Sequence, residues 1–157
     1  MTVALARFTL KDANVFLLAD ALGDIDAPDS GLFWDDTRML SRLQLQVADS
    51  RPSFLGAEVS HDNVLFTAQL TNRPLPAPGE HSIPQGVIHL ERTRFLWSGQ
   101  LYERLKITNF SGRDAQSWWK SSFVARPRTG SSGRRVSREC VAIAPSSRCV
   151  RRDGTWR

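Results

Sequence analysis

Cysteine is almost missing from this chain: Cys140 and Cys149 are the only two. They lie nine residues apart, without a second Cys or His pair at zinc-ligand spacing, so they read as ordinary thiols rather than a metal centre or a disulfide framework. No long uncharged apolar run is present, which excludes a bilayer-spanning helix, and no membrane partner is expected. At the start, MTVALARFTLKDANVFLLAD is interrupted by Arg7 and Lys11 and has no small-residue cleavage site behind a continuous apolar core. It does not read as a secretory leader, and a cytoplasmic location is the resulting expectation. Glycine-rich phosphate motifs are lacking. His81 and His89 have no metal-ligand spacing, and neither cofactor nor metal is expected.

What is there is alternation. A chain of 157 residues accommodates one ordinary core. In GLFWDDTRMLSRLQLQV, from Gly31 to Val47, the residues Leu43, Leu45 and Val47 alternate with Gln44 and Gln46. That places the apolar side chains on one face of a strand with one side buried. Further strands are expected at Arg7–Leu10, Val15–Ala19, Gly31–Trp34, Leu40–Val47, Phe54–Ser60, Val64–Leu70, Gly86–Trp97 and Gly99–Phe110. Turn-forming clusters separate them, and Asn72 to Pro84, with four of the eight prolines, reads as a long connection. Eight strands with short turns and no convincing amphipathic helix predict an all-β fold, an antiparallel β-sandwich. Within the last strand Glu103 shares a face with Leu101, Leu105 and Ile107; it either pairs with a residue of the adjacent strand or is re-aimed by a bulge.

Charge is divided unevenly. Residues 1–116 carry 11 Lys and Arg against 14 Asp and Glu, a net −3, whereas residues 117–157 carry 10 against 2, a net +8. The basic character belongs to the tail, and the folded part offers no phosphate-binding surface by composition.

The succession FTLKDANVFLLAD, GLFWDDTRMLSRLQLQV, HDNVLFTAQLTN and IPQGVIHLERTRFLWSGQLYERLKITNF resembles the N-terminal domain of bacterial glycogen-debranching-type proteins, the amylo-alpha-1,6-glucosidase group. The resemblance spans about residues 8–116. It implies a β-sandwich, here a partial supersandwich, that precedes a helical catalytic toroid whose carboxylates hydrolyse the glucosidic bond. That toroid is absent from this chain, so no catalytic residue is expected within it, and its partners would be the toroid and an α-glucan.

The residues themselves agree. Glycoside hydrolysis needs two carboxyl groups about 5 to 9.5 Å apart on opposite sides of one bond. Asp35 and Asp36 are the tempting pair, but neighbours in an extended segment point to opposite faces. Turn hydrogen bonds or an Asp36–Arg38 ion pair account for them better. The acidic loop with Asp20, Asp24, Asp26 and Asp29 lacks the ligand order of an EF-hand and reads as solvated. His61-Asp62 reads as a hairpin turn, not a catalytic dyad. Trp34 and Trp97 serve either as sugar platforms or as core or interdomain packing surfaces, of which packing is favoured. The candidate glucan or interdomain contacts are therefore Trp34, Asp35, Asp36, Arg38 and Trp97.

From Ser117 onward the composition turns to Arg, Ser and Gly, as in PRTGSSGRRVSREC and SSRCVRRDGTWR. The reading divides the chain at 116, with 117–157 a poorly ordered basic tail. Frame loss near Ser117 is one explanation and is favoured. The alternative is a small binding protein whose tail contacts nucleic acid or acidic partners, with Trp118, Trp119 and Trp156 available for stacking. Nucleic acid is the less favoured partner.

Overall fold

The computed structural model describes residues 6–75 and 82–110, together with the strand backbone of residues 117–125 and 134–142. His81, Cys149 and Trp156 lie outside the described residues. Ten strands follow in chain order: β1 Arg7–Asp12, β2 Val15–Asp20, β3 Gly31–Trp34, β4 Thr37–Val47, β5 Ser53–Val59, β6 Leu65–Thr71, β7 Ile88–Trp97, β8 Gln100–Asn109, β9 Ser117–Ala125 and β10 Arg134–Ala142. Each of the eight strands expected from alternation is present. They form two antiparallel sheets, one ordered β1-β2-β3-β4-β9-β10 and the other β5-β6-β7-β8.

The period of two decides which residues meet between the sheets. Val15, Leu17 and Ala19 of β2 are buried, as are Leu43, Leu45 and Val47 of β4, while Gln44 and Gln46 are only partly covered. From the second sheet Phe66, Ala68 and Leu70 of β6 and Ile88, Leu90 and Leu96 of β7 complete a single core. Each large aliphatic side chain so buried contributes about 1.5–3 kcal/mol. Leu40 and Leu43 both face this core although three positions apart, because the register with β9 shifts between Leu40 and Arg42 and the extra residue returns the strand to phase.

The proline-rich connection is closed at its base by Asn72, which is fully buried. Its amide donates to the carbonyls of Arg73 (2.8 Å) and Pro84 (2.9 Å) and its Oδ1 accepts from Ile88 N at 2.8 Å. One side chain thereby satisfies backbone groups that the prolines leave without ladder partners.

Two strands follow residue 116. β9 lies beside β4 through Ala125, and β10 pairs with β9 from Ala142↔Ser117 to Arg134↔Ala125. The Arg, Ser and Gly content averaged over the tail conceals the stretch SWWKSSFVA, whose three aromatics and Val124 favour a strand although it lacks clean alternation. No helix among the described residues is long and apolar enough to cross a membrane.

Candidate functional site

Four hairpin turns meet at one end of the sandwich. Tight turns between antiparallel strands require left-handed backbone, and this end supplies it at Ala13 (φ 49°), Asp35 (49°), Asn63 (56°), Ser98 (50°) and Gly99 (73°). The turns are tied to one another: Asp35 N donates to Asn14 O at 2.9 Å, Lys11 N to Asn63 O at 3.0 Å, and Gly99 N to Asp12 Oδ2 at 3.2 Å.

Trp34 pairs with Val15 in register and so faces the opposite sheet, where its ring covers Gly99. A methyl group at Gly99 would lie 2.8 Å from Trp34 Cζ3 and 3.0 Å from Cη2. Trp34 is thus a stopper between the two sheets, with 39% of its surface exposed. Gly99→Val combines this clash with a left-handed backbone that a β-branched residue resists, and is expected to cost about 2–3 kcal/mol. Urea denaturation of the variant against the parent chain measures it.

Asp35 and Asp36 are the two central residues of the β3–β4 turn, closed by the pair Trp34↔Thr37. Their segment is therefore a reversal, in keeping with the turn hydrogen bonds the sequence suggested for them. Arg38 does not serve as the partner of Asp36. Its guanidinium passes over Gly31 and donates to the carbonyls of Pro28 (2.8 Å), Ala27 (3.1 Å), Ser41 (3.2 Å) and Ser30. It secures the 27–31 loop and is removed from the turn end. Trp97 ends β7 on the outer face of the second sheet, 66% exposed, and the Ser98–Gly99 turn links it to the residue beneath Trp34. Trp34, Asp35, Asp36 and Trp97 thus share one end of the molecule, and Arg38 does not belong with them. His61-Asp62 is a turn: Asp62 accepts from Ser60 Oγ and from Val64 N at 3.3 Å. The Ser60 hydrogen bond, aided by the one from Val64, lowers the Asp62 carboxyl below its ordinary value.

A second polar assembly lies inside the sandwich, and sequence reasoning missed most of it. Arg92 and Arg94 occupy inward positions of β7 and are fully buried. Glu103 stands opposite Arg94 in the β7–β8 register, which continues without a shift. It accepts from Arg92 Nε at 2.7 Å and Arg94 Nε at 2.9 Å, the adjacent-strand pairing being the outcome of the two alternatives open for it. From the other sheet Asp24, itself buried, accepts from Arg92 Nη1 at 2.6 Å, from Arg51 Nη2 at 2.9 Å and from Leu45 N at 3.0 Å. Asp20 holds Arg51 at 2.6 Å and caps Leu22 N and Asp24 N. The acidic loop is accordingly solvated only in part: Asp26 and Asp29 are exposed, whereas Asp24 is turned inward to the buried Arg92 and, with Asp20, to the half-buried Arg51. Burial opposes the Glu103 carboxylate, but Arg94 and Arg92 outweigh it and hold the carboxyl at about 2. Burial likewise opposes the Arg92 cation, and Glu103 with Asp24 nonetheless raises its pKa. For Arg94, burial and the neighbouring Arg92 lower it. The assembly neutralises itself and ties the 20–25 loop to β7, with Leu22 O and Gly23 O accepting from Arg92 and Arg94.

This two-sheet arrangement coincides with a known sequence family. Residues 10–125 match the N-terminal domain found in some glycogen debranching enzymes. The chain belongs to that family. The match to this debranching-enzyme N-terminal domain begins within β1 and runs to the last residue of β9. Strand β10 lies beyond the matched region. No curated protein matches the chain.

Proposed function

We propose that the chain acts as the non-catalytic N-terminal accessory domain of an amylo-alpha-1,6-glucosidase-type glycogen debranching protein, packing on a helical catalytic toroid that lies outside these 157 residues. The observation that carries this reading is the family match over nearly the whole of both sheets. The chemistry of the carboxylates supports it. A general acid must hold a proton near neutral pH, whereas Glu103, pinned by two arginines, has a pKa of about 2. Asp24 is buried and committed to Arg92 and Arg51. Asp35 and Asp36 are the consecutive central residues of one tight turn, whereas hydrolysis needs two carboxyls on opposite sides of one bond.

Mixing the full chain with a separately produced helical catalytic domain of a glycogen debranching enzyme tests the reading. Co-elution of the two on a sizing column is expected, together with no glucose release from glycogen by the chain alone. Hydrolysis by the chain alone, or separate elution at concentrations well above micromolar, would overturn it.

A further inference from the structure

We propose that the outer edge of β8 is a strand-docking site, taking an extended segment of a partner polypeptide in which apolar residues alternate with carboxylates. β8 is the last strand of its sheet among the described residues. Its hairpin closes at Trp97↔Gln100 around two left-handed residues, Ser98 and Gly99, and a two-residue turn of that kind is closed by a pair that exchanges two hydrogen bonds. Bonded and non-bonded pairs alternate from there. The even-numbered residues from Gln100 to Thr108 therefore bond to β7, while Leu101, Glu103, Leu105 and Ile107 direct their N–H and C=O groups away from it. Phe110 N, which donates to Val87 O at 2.8 Å, continues the even-numbered series. At the opposite edge of the sheet β5 is interrupted by a register shift between Phe54 and Gly56, a device that blunts pairing. β8 runs for ten residues with neither a shift nor a proline.

The two faces of β8 set what the occupant must carry. Leu90 and Leu96 of β7 are completely buried, but their register partners Ile107 and Leu101 are only partly covered, and Glu103 keeps 29% of its side chain exposed. The inner face thus opens along β8, and an added strand would extend the core there with an apolar side chain at every second position. On the outer face Arg104 and Lys106 are both exposed. Glu91, 3.3 Å from Arg104, offsets one of these charges and leaves the row positive, so the intervening residues of the added strand are best matched by carboxylates. A second copy of this chain does not meet that requirement. Two-fold pairing centred on Glu103, Arg104 or Lys106 sets the residue against itself, and pairing centred on Leu105 sets Arg104 against Lys106. Residues 143–157 carry four arginines and one aspartate, the wrong sign for the same row.

The test titrates the full chain into a fluorescently labelled, capped peptide of alternating valine and glutamate matched in length to β8, and follows anisotropy. Saturable binding is expected, with a lysine-for-glutamate version of the peptide about tenfold weaker. Leu105→Pro removes an N–H that points away from β7, so the hairpin keeps its ladder while the peptide loses its partner, and binding should disappear. Arg104→Glu/Lys106→Glu should reverse the preference, taking the lysine peptide over the glutamate one. Urea midpoints show which variants are folded; if Leu105→Pro is not, the charge reversal decides alone. No saturable binding of the glutamate peptide, equal binding of the two peptides, a preference that fails to reverse, or undiminished binding by a folded Leu105→Pro chain would overturn the proposal. So would dimerisation of the parent in sedimentation equilibrium that Leu105→Pro abolishes, since a second copy would then occupy the edge. No catalytic domain enters these measurements, so their outcome is independent of the co-elution that tests the accessory role.

Discussion

Replacing Asp24 by alanine is expected to lower the unfolding free energy by about 3–5 kcal/mol, the range for removing one partner of a buried ion pair. The carboxylate makes its contacts in three directions, to Arg92 and Arg51 and to the Leu45 amide. Alanine leaves the fully buried Arg92 with Glu103 as its remaining carboxylate and strips Leu45 N of its acceptor. A domain of this size has a stability of about 5–15 kcal/mol in total, so the variant stands near the threshold of folding. The same logic gives a sharper comparison. Removing Arg92 as well, in Asp24→Ala/Arg92→Leu, should cost clearly less than the two single losses added, because the second change abolishes the charge that the first left stranded. Urea denaturation of the four chains of this cycle measures the coupling; additive losses would show that the buried pair is not a unit.

Acid should unfold the chain through Glu103, and Glu103→Gln should remove that sensitivity along with much of the stability at neutral pH. The folded state holds the carboxyl at about 2 against an ordinary 4.5. A depressed carboxyl contributes stability that is complete above the ordinary value and is lost as pH falls from 4.5 toward 2, because the unfolded chain takes up the proton first. Glutamine keeps the shape but leaves Arg92 and Arg94, two buried cations on one strand, with a single buried carboxylate between them at Asp24. Unfolding midpoints recorded for both chains between neutral pH and about pH 2 test this. The parent curve should fall steeply through the window and the variant curve should start low and be flatter; parallel curves would assign the acid response to other carboxylates.

How far the sequence discloses these features depends on the distance over which each is decided. Strand existence is local, and the alternation of Leu43, Leu45 and Val47 with the two glutamines is enough to orient β4 correctly. The β7–β8 hairpin is nearly as local. A turn at Ser98–Gly99 sets Arg94 opposite Glu103, so the pairing of that inward carboxylate was readable by carrying the register back from the turn. Asp24 is different. It comes from an irregular loop of the other sheet, and no periodicity marks one aspartate among four as the one that enters the core. Arg38 misled for a related reason: proximity in sequence pairs it with Asp36, but its guanidinium reaches the carbonyls of Ala27 and Pro28 in the preceding loop. Of the candidate site residues, the turn itself placed Trp34, Asp35 and Asp36 together. The link to Trp97 required knowing that two hairpins from different sheets end at the same place. β9 escaped notice because its composition was averaged with that of its Arg-rich surroundings.

The pairing of β4 with β9 has a consequence for the order of assembly. On the ribosome, β1 to β4 emerge as a run of neighbouring hairpins, and β5 to β8 as another, each closing contacts over short stretches of chain. The open flank of β4 must wait until Ser117 to Ala125 has been synthesised, with the entire second sheet made in the interval. During that delay a nascent chain displays the unpaired edge of β4 from Leu40 to Val47, the kind of surface on which two growing polypeptides adhere. Yield of the native domain should therefore depend on how promptly β9 follows, and slowing translation after Asn109 would shift the product toward aggregate.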